Sequence, residues 1–105
     1  MSSPEFVEKL PAAIKPDAIA GKRMTIQLNI STPSYLTIAD GTCTVQEGVA
    51  ASPEITFTAS DENLFKLLTG ALSGPVALFT GKLKVAGNVM IAKDIGVFFD
   101  PAKLV

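Results

Sequence analysis

A chain of 105 residues holds one domain built around one core. Its net charge of −1 and nine scattered basic residues exclude a general nucleic-acid binder, which needs a basic face to displace counterions. The absence of histidine excludes Ser-His and Cys-His catalysis and His-bearing zinc sites, and a single cysteine excludes an internal disulfide.

In chain order, Pro4 after Ser3 marks a helix start with Phe6, Val7 and Leu10 on neighbouring positions. Pro11 and Pro16 are expected to break this region into short pieces before Gly21 ends it. From Thr25 to Ile30, Ile26, Leu28 and Ile30 alternate with polar residues, the period of a half-buried strand. A turn at "STPS" leads to a second strand, Tyr35 to Ala39. Asp40-Gly41 is a two-residue hairpin signal into a third strand, Thr42 to Glu47, with Cys43 and Val45 inward. A loop from Gly48 to Pro53 precedes a fourth strand around Ile55 and Phe57, whose β-branched neighbours fit a pleated surface.

Ser60 is an N-cap, Asp61 and Glu62 complement the positive end of a helix, and Leu64, Phe65, Leu67, Leu68 and Leu72 form its apolar face. The helix should end between Gly70 and Gly74, after which Pro75 opens a short one over Val76, Ala77, Leu78 and Phe79. The run "TGKLKVAGN", Thr80 to Asn88, has a glycine near each end and two lysines alternating with apolar residues between them. It fails as a phosphate loop, because Val76 stands where the first glycine belongs and Leu83 follows Lys82 where Ser or Thr should be. Leu83 and Val85 instead alternate with Lys82 and Lys84, which makes it a fifth strand. Asn88 caps a last helix with Ile91, Ile95, Phe98 and Phe99 on one face, stopped before Pro101. These elements predict an α+β fold: one five-stranded, mainly antiparallel sheet with helices covering one face and its Thr, Gln, Asn and Lys positions facing water.

Little in this sequence carries catalytic chemistry. Cys43 sits mid-strand with no basic neighbour to lower its pKa and reads as a packed thiol. Asp61 and Glu62 diverge on a helix and read as first-turn acids. No metal site and no cofactor are expected. Lys82 and Lys84 have two readings, a solvated strand face or a contact with anionic lipid headgroups that gives a transient membrane contact worth only about 2 kcal/mol from two charges. Hydrophobic residues make up 48% of the chain and charged residues 18%, against roughly 25% charged in typical domains. Such an excess can fill a core, line a cavity, form an oligomer contact or touch a membrane, and monomer and homodimer both remain open. The stripe from Leu67 through Phe79 to Phe99 has two of these readings: an ordinary core, or the wall of a space for an apolar ligand with Gly70, Gly74 and Gly81 as hinges of an entrance.

The N-terminus lacks the basic start and apolar run of an export signal, and the uncharged stretch Leu67 to Gly81 falls short of the roughly 20 residues that span a bilayer. The terminal "PAKLV" places a peroxisome-like AKL one residue too early, so a cytoplasmic location is expected.

The run "SPEITFTASDENLFKLLTGALSGPVALFTGKLKVAGNVMIAKDI" resembles the sterol carrier protein lipid-binding domain family. The matching elements are Glu54 before an alternating strand, an acid-started helix ending at Thr69-Gly70, and an Ala-Phe-rich turn before "GKLKVAGN", the most recognisable segment. Upstream, "KPDAIAG" and "YLTIADGTCTVQEG" match in order and spacing, so the similarity runs from about residue 15, and the whole chain, 1–105, is expected to be one such domain. The chain departs in its short, proline-broken N-terminal region and short first hairpin. The resemblance implies a sheet covered by helices around an apolar tunnel that binds fatty acyl chains, acyl-CoA, sterols or other lipids without catalysis. The lining residues it points to are Leu64, Leu68, Leu72, Phe79, Leu83, Met90, Ile91, Ile95 and Phe98. An interaction or dimerisation module, or an accessory domain presenting a lipidic intermediate to partner enzymes, is the alternative.

Overall fold

The structure, a computed structural model, describes residues 5–104, so the expected helix start at Ser3 and Pro4 lies outside the described residues. Helix α1 (Glu5–Ala13) runs through Pro11 instead of breaking there. Proline removes one backbone donor, and here the loss falls in the last turn. The buried face of Phe6, Val7, Leu10 and Ala13 outweighs it. The helix ends two residues later at Ala13, after which Ile14 pairs with Phe99 in an isolated antiparallel bridge and Pro16 opens a 3-10 turn to Ile19.

Strands β1 (Met24–Asn29), β2 (Ser34–Ala39), β3 (Thr42–Glu47), β4 (Ile55–Ala59) and β5 (Leu83–Gly87) form one sheet in the order β3-β2-β1-β4-β5. Only β1 and β4 run parallel; the other three pairings are antiparallel. The β2-β3 hairpin turns on Asp40 (φ 54°) and Gly41 (φ 75°), both in the left-handed region that a two-residue type I′ turn requires. The register aligns Val45, Leu36, Ile26 and Ile55 across four strands, and Leu28, Phe57 and Val85 across three. One face of the sheet is therefore continuous and apolar, while the other carries Thr25, Thr37, Thr44, Thr56, Thr58 and Lys84.

The expectation that the polar face meets water throughout is corrected at Gln27, which is buried. The loop after β3 folds over it. Its amide nitrogen donates to the carbonyls of Gly48 (3.1 Å) and Ser34 (3.2 Å), and its oxygen accepts from Ala50 N–H at 2.8 Å. A buried amide is tolerated only when its polar atoms are paired, and these bonds do that.

Helix α2 (Asp61–Thr69) starts at Ser60, whose hydroxyl accepts from Asn63 N–H at 3.1 Å, and stops at Gly70, which holds φ 84°. Helix α3 (Gly74–Phe79) is capped by Ser73, and α4 (Val89–Phe98) by the Asn88 side chain, which accepts from Met90 N–H at 3.0 Å. Phe99, expected on the last helical face, lies just beyond it in extended backbone (φ −121°, ψ 145°) and is buried through its bridge to Ile14. The core is thus one layer: the apolar sheet face below, and α1, α2, α4 and the C-terminal Leu104 above.

Candidate functional site

Most of the apolar side chains singled out from the sequence join the one buried cluster on the inner sheet face. Helix α2 leaves the end of β4, α3 leads back into β5, and α4 leaves β5 at once, so a single β-α-α-β-α run builds this part of the fold. Leu64, Leu67 and Leu68 recur at i, i+3 and i+4 on α2, and Ile91, Ile95 and Phe98 at i, i+4 and i+7 on α4. All six are buried, as is Leu83 at the head of β5, while Leu72 is half-buried against the same cluster. Helices α2 and α4 pack on one another, and α4 also rests on β4 and β5.

Phe79 and Met90 stand apart from this group. Phe79 is 93% exposed and Met90 60% exposed, and both face water at opposite ends of β5. Helix α3 turns only Ala77 inward, leaving Val76 52% and Leu78 46% exposed beside Phe79. On α4, the inward phase of Ile91, Ile95 and Phe98 turns Met90 and Val97 outward.

Two features of the site escaped the sequence reading. The first is a knot around Glu54. Its backbone N–H donates to Thr25 O (2.9 Å), its carboxylate accepts from Thr25 N–H, and its carbonyl accepts from Asn88 N–H at 2.8 Å. One residue thereby fastens β1 to β4 and fixes the point at which α4 leaves β5. Gly87 makes this possible, because it adopts φ 105° and a Cβ there would sit 2.5 Å from the Glu54 carbonyl oxygen. The second glycine of "GKLKVAGN" was the available signal. The second feature is Asp61, whose carboxylate accepts from Ser31 N–H at 2.9 Å and from the Ser31 hydroxyl at 2.5 Å, tying the β1-β2 turn to α2.

The electrostatics offer little to a reacting group. Glu62 pairs with Lys66 at 3.0 Å, Glu5 with Lys9 at 3.5 Å and Asp40 with Arg23 at 2.9 Å, each with a largely exposed carboxylate partner. Cys43 is buried under the helices, and desolvation pushes its thiol up to about 12, far from the thiolate a nucleophile needs. Among the described residues, no three His, Cys, Asp or Glu side chains gather in a group that could hold a metal ion. Nor is any described helix long and apolar enough to cross a membrane.

Comparison with known proteins follows the same outline. The model of the SCP-2 sterol transfer family matches residues 7–100. Among curated proteins, peroxisomal multifunctional enzyme A of Dictyostelium discoideum is 33% identical over 70 residues, or 66% of this chain. The chain spans only 16% of that relative's length. Among solved structures, the palmitated SCP2L2 of Aedes aegypti superposes with a TM-score of 0.67 at 28% identity, covering 93% of this chain and 95% of its own. The inverting sec-alkylsulfatase Pisa1 of a Pseudomonas species superposes with a TM-score of 0.85, covering 94% of this chain and 16% of its own. At 20% identity that second likeness concerns the fold alone.

Proposed function

The chain belongs to the SCP-2 sterol transfer family, and from that premise we propose that it is a non-catalytic module that binds a lipid in an apolar space between its helices and the inner sheet face. The ligand is a fatty acyl chain, an acyl-CoA, a sterol or a similarly apolar molecule. The observation that carries this reading is that Leu64 and Leu68 from α2, Leu83 from β5, and Ile91, Ile95 and Phe98 from α4 meet in one buried apolar cluster against the inner sheet face. Leu72 closes the wall beside α2, and Phe79 and Met90 mark the rim. The Aedes relative in its palmitated form supports an acyl chain as guest. The chemistry is adequate without polar contacts: at about 0.8 kcal/mol per buried methylene, a long acyl chain gains on the order of 10 kcal/mol before ordering costs. The buried, protonated Cys43 and the absence of a histidine leave no obvious group for a reaction, which supports the non-catalytic reading. The lone thiol also suits the reducing cytoplasm.

Organic extraction of the purified protein followed by lipid mass spectrometry is the test. Co-purified lipid in near-stoichiometric amount is the expected result. A protein that carries no lipid and takes up no fluorescent fatty acid overturns the proposal. The likeness to a relative named as a multifunctional enzyme supports a second reading, in which the module holds a lipidic intermediate for partner enzymes. That role predicts lipid binding with no transfer between vesicles. A lipid-free dimer in light scattering would instead favour an interaction module.

A further inference from the structure

The large apolar side chains left in water are not scattered over the surface. Apart from Val49, those exposed among the described residues lie on α3 and α4, and Val76, Leu78 and Phe79 stand together on the six-residue α3. At the end of α3, Gly81 adopts φ 76°, Gly81 N–H donates to Leu78 O at 3.3 Å and Lys82 N–H to Ala77 O at 2.9 Å. This helix stop turns the chain back, so that Lys82 and Lys84 follow Phe79 within five residues. Both lysines are exposed, and neither forms an ion pair among the described residues.

Charge along the chain is unevenly divided around this corner. Residues 63–93 hold four lysines and no acid, a charge of +4; the remaining residues hold five basic and ten acidic ones, a charge of −5, and the two sum to the net −1. An apolar tip followed by two exposed lysines, in a sequence segment free of acids, asks for an occupant that is both apolar and negatively charged. A second copy of this chain offers apolar surface, but two-fold pairing through the tip would bring like charges face to face. An anionic bilayer offers both, headgroup charge at its surface and hydrocarbon beneath.

We propose that the α3 tip is a docking surface for anionic lipid bilayers, with Val76, Leu78 and Phe79 entering the interface and Lys82 and Lys84 at headgroup level. Phe79, one of the lining residues to which the family resemblance points, then serves the outside of the molecule. The surface stands on its own exposed residues and does not depend on a lipid in the interior.

Sedimentation of the full chain with vesicles tests this. Binding is expected to vesicles of phosphatidylcholine mixed with phosphatidylserine, to weaken with added salt, and to be much weaker on phosphatidylcholine alone. Each lysine contributes about fivefold near such a surface, so a Lys82→Gln, Lys84→Gln double variant should lose roughly 25-fold. Phe79→Ser should lower partitioning at every salt concentration while leaving the circular dichroism spectrum unchanged, since the side chain it removes lies in water. Equal binding to the two vesicle types, no binding to either, or full binding by Phe79→Ser overturns the proposal. So does a concentration-dependent dimer that Phe79→Ser dissolves in the absence of vesicle binding, which would make a second copy the occupant. Extraction of bound lipid, as above, reads the interior separately, so either proposal can fail without the other.

Discussion

Replacing Gly87 by alanine is expected to destabilise the fold far more than the same change at Gly81, although both glycines hold positive φ. Gly81 (φ 76°) faces open space, with nothing within 4 Å of a built Cβ. An alanine there bears only the left-handed backbone, about 1–2 kcal/mol, offset by roughly 0.5 kcal/mol from a stiffer unfolded chain, for a net loss near 1 kcal/mol. At Gly87 (φ 105°) the added Cβ meets the Glu54 carbonyl oxygen at 2.5 Å and Ile55 Cα at 3.0 Å, both rigid backbone atoms. Ordinary contacts lie near 3.5 Å, so β4 or β5 must shift, and overpacking of this kind adds about 1–3 kcal/mol. The shift also strains the 2.8 Å bond from Asn88 N–H to the same carbonyl, which seats α4. The total for Gly87→Ala is therefore about 2–4 kcal/mol. Urea unfolding of the wild type and the two single variants, followed by circular dichroism, gives the comparison. If Gly87→Ala costs no more than Gly81→Ala, the close approach of β5 to Glu54 is not what fixes this corner.

Gln27→Leu should cost about 2–3 kcal/mol in the same assay, because the Gly48 and Ser34 carbonyls and Ala50 N–H lose a buried partner, and the Ala50 amide should exchange with solvent markedly faster. Asn88→Ala removes the cap of α4 and should cost about 1 kcal/mol, with a smaller loss for Asn88→Asp or Asn88→Ser. Cys43 titrates from its ordinary 9.0 to about 12 in the fold, because burial disfavours the thiolate. Between these values the unfolded chain has released a proton that the native state keeps, so stability must fall as pH rises through 9. Cys43→Ala should flatten that fall in urea unfolding at pH 9–11, and a steeper fall in the variant would contradict the assignment.

Much of this architecture was legible because its signals are local. Asp40-Gly41 forces both turn residues to positive φ, Ser60 and Asn88 supply caps, and Gly70 stops α2, each within a few residues of the element it shapes. The parallel β1-β4 pair was not legible as such, since it joins segments about 30 residues apart and leaves no mark on either one. Gln27 follows the alternation of β1 correctly, yet a loop arriving from residue 48 onward covers it. Pro11 reads as a breaker because its cost is local, whereas the buried face that offsets it is tertiary. At the site, α2 and α4 have mixed sequences whose polar residues set the phase, and Leu64, Leu68, Ile91, Ile95 and Phe98 turned inward as the periodicity demands. Helix α3 has no such phase. Val76, Ala77, Leu78 and Phe79 are all apolar, so the pattern cannot say which faces the sheet. The structure turns the smallest of them, Ala77, inward.

That choice bears on what α3 is for. A six-residue helix is far too short to persist on its own propensity, and helices normally gain their stability from a buried face. This one buries a methyl group. It is held at its ends instead, by the Ser73 hydroxyl accepting from Val76 N–H at one and by the Gly81 turn at the other, while three large side chains that would have stabilised it by packing inward point away. Had the helix served only to close the core, rotation by one residue would have buried a leucine or a valine where alanine sits. Instead the apolar surplus faces outward at the corner where the acid-free lysine segment lies. The chain's apolar excess is thus divided between two environments: a layer between sheet and helices that is shielded from water, and a tip that is not. On the proposed reading the module must meet the membrane that supplies its lipid, and an apolar tip joined to β5 by only Thr80, Gly81 and Lys82 places the second environment next to the first.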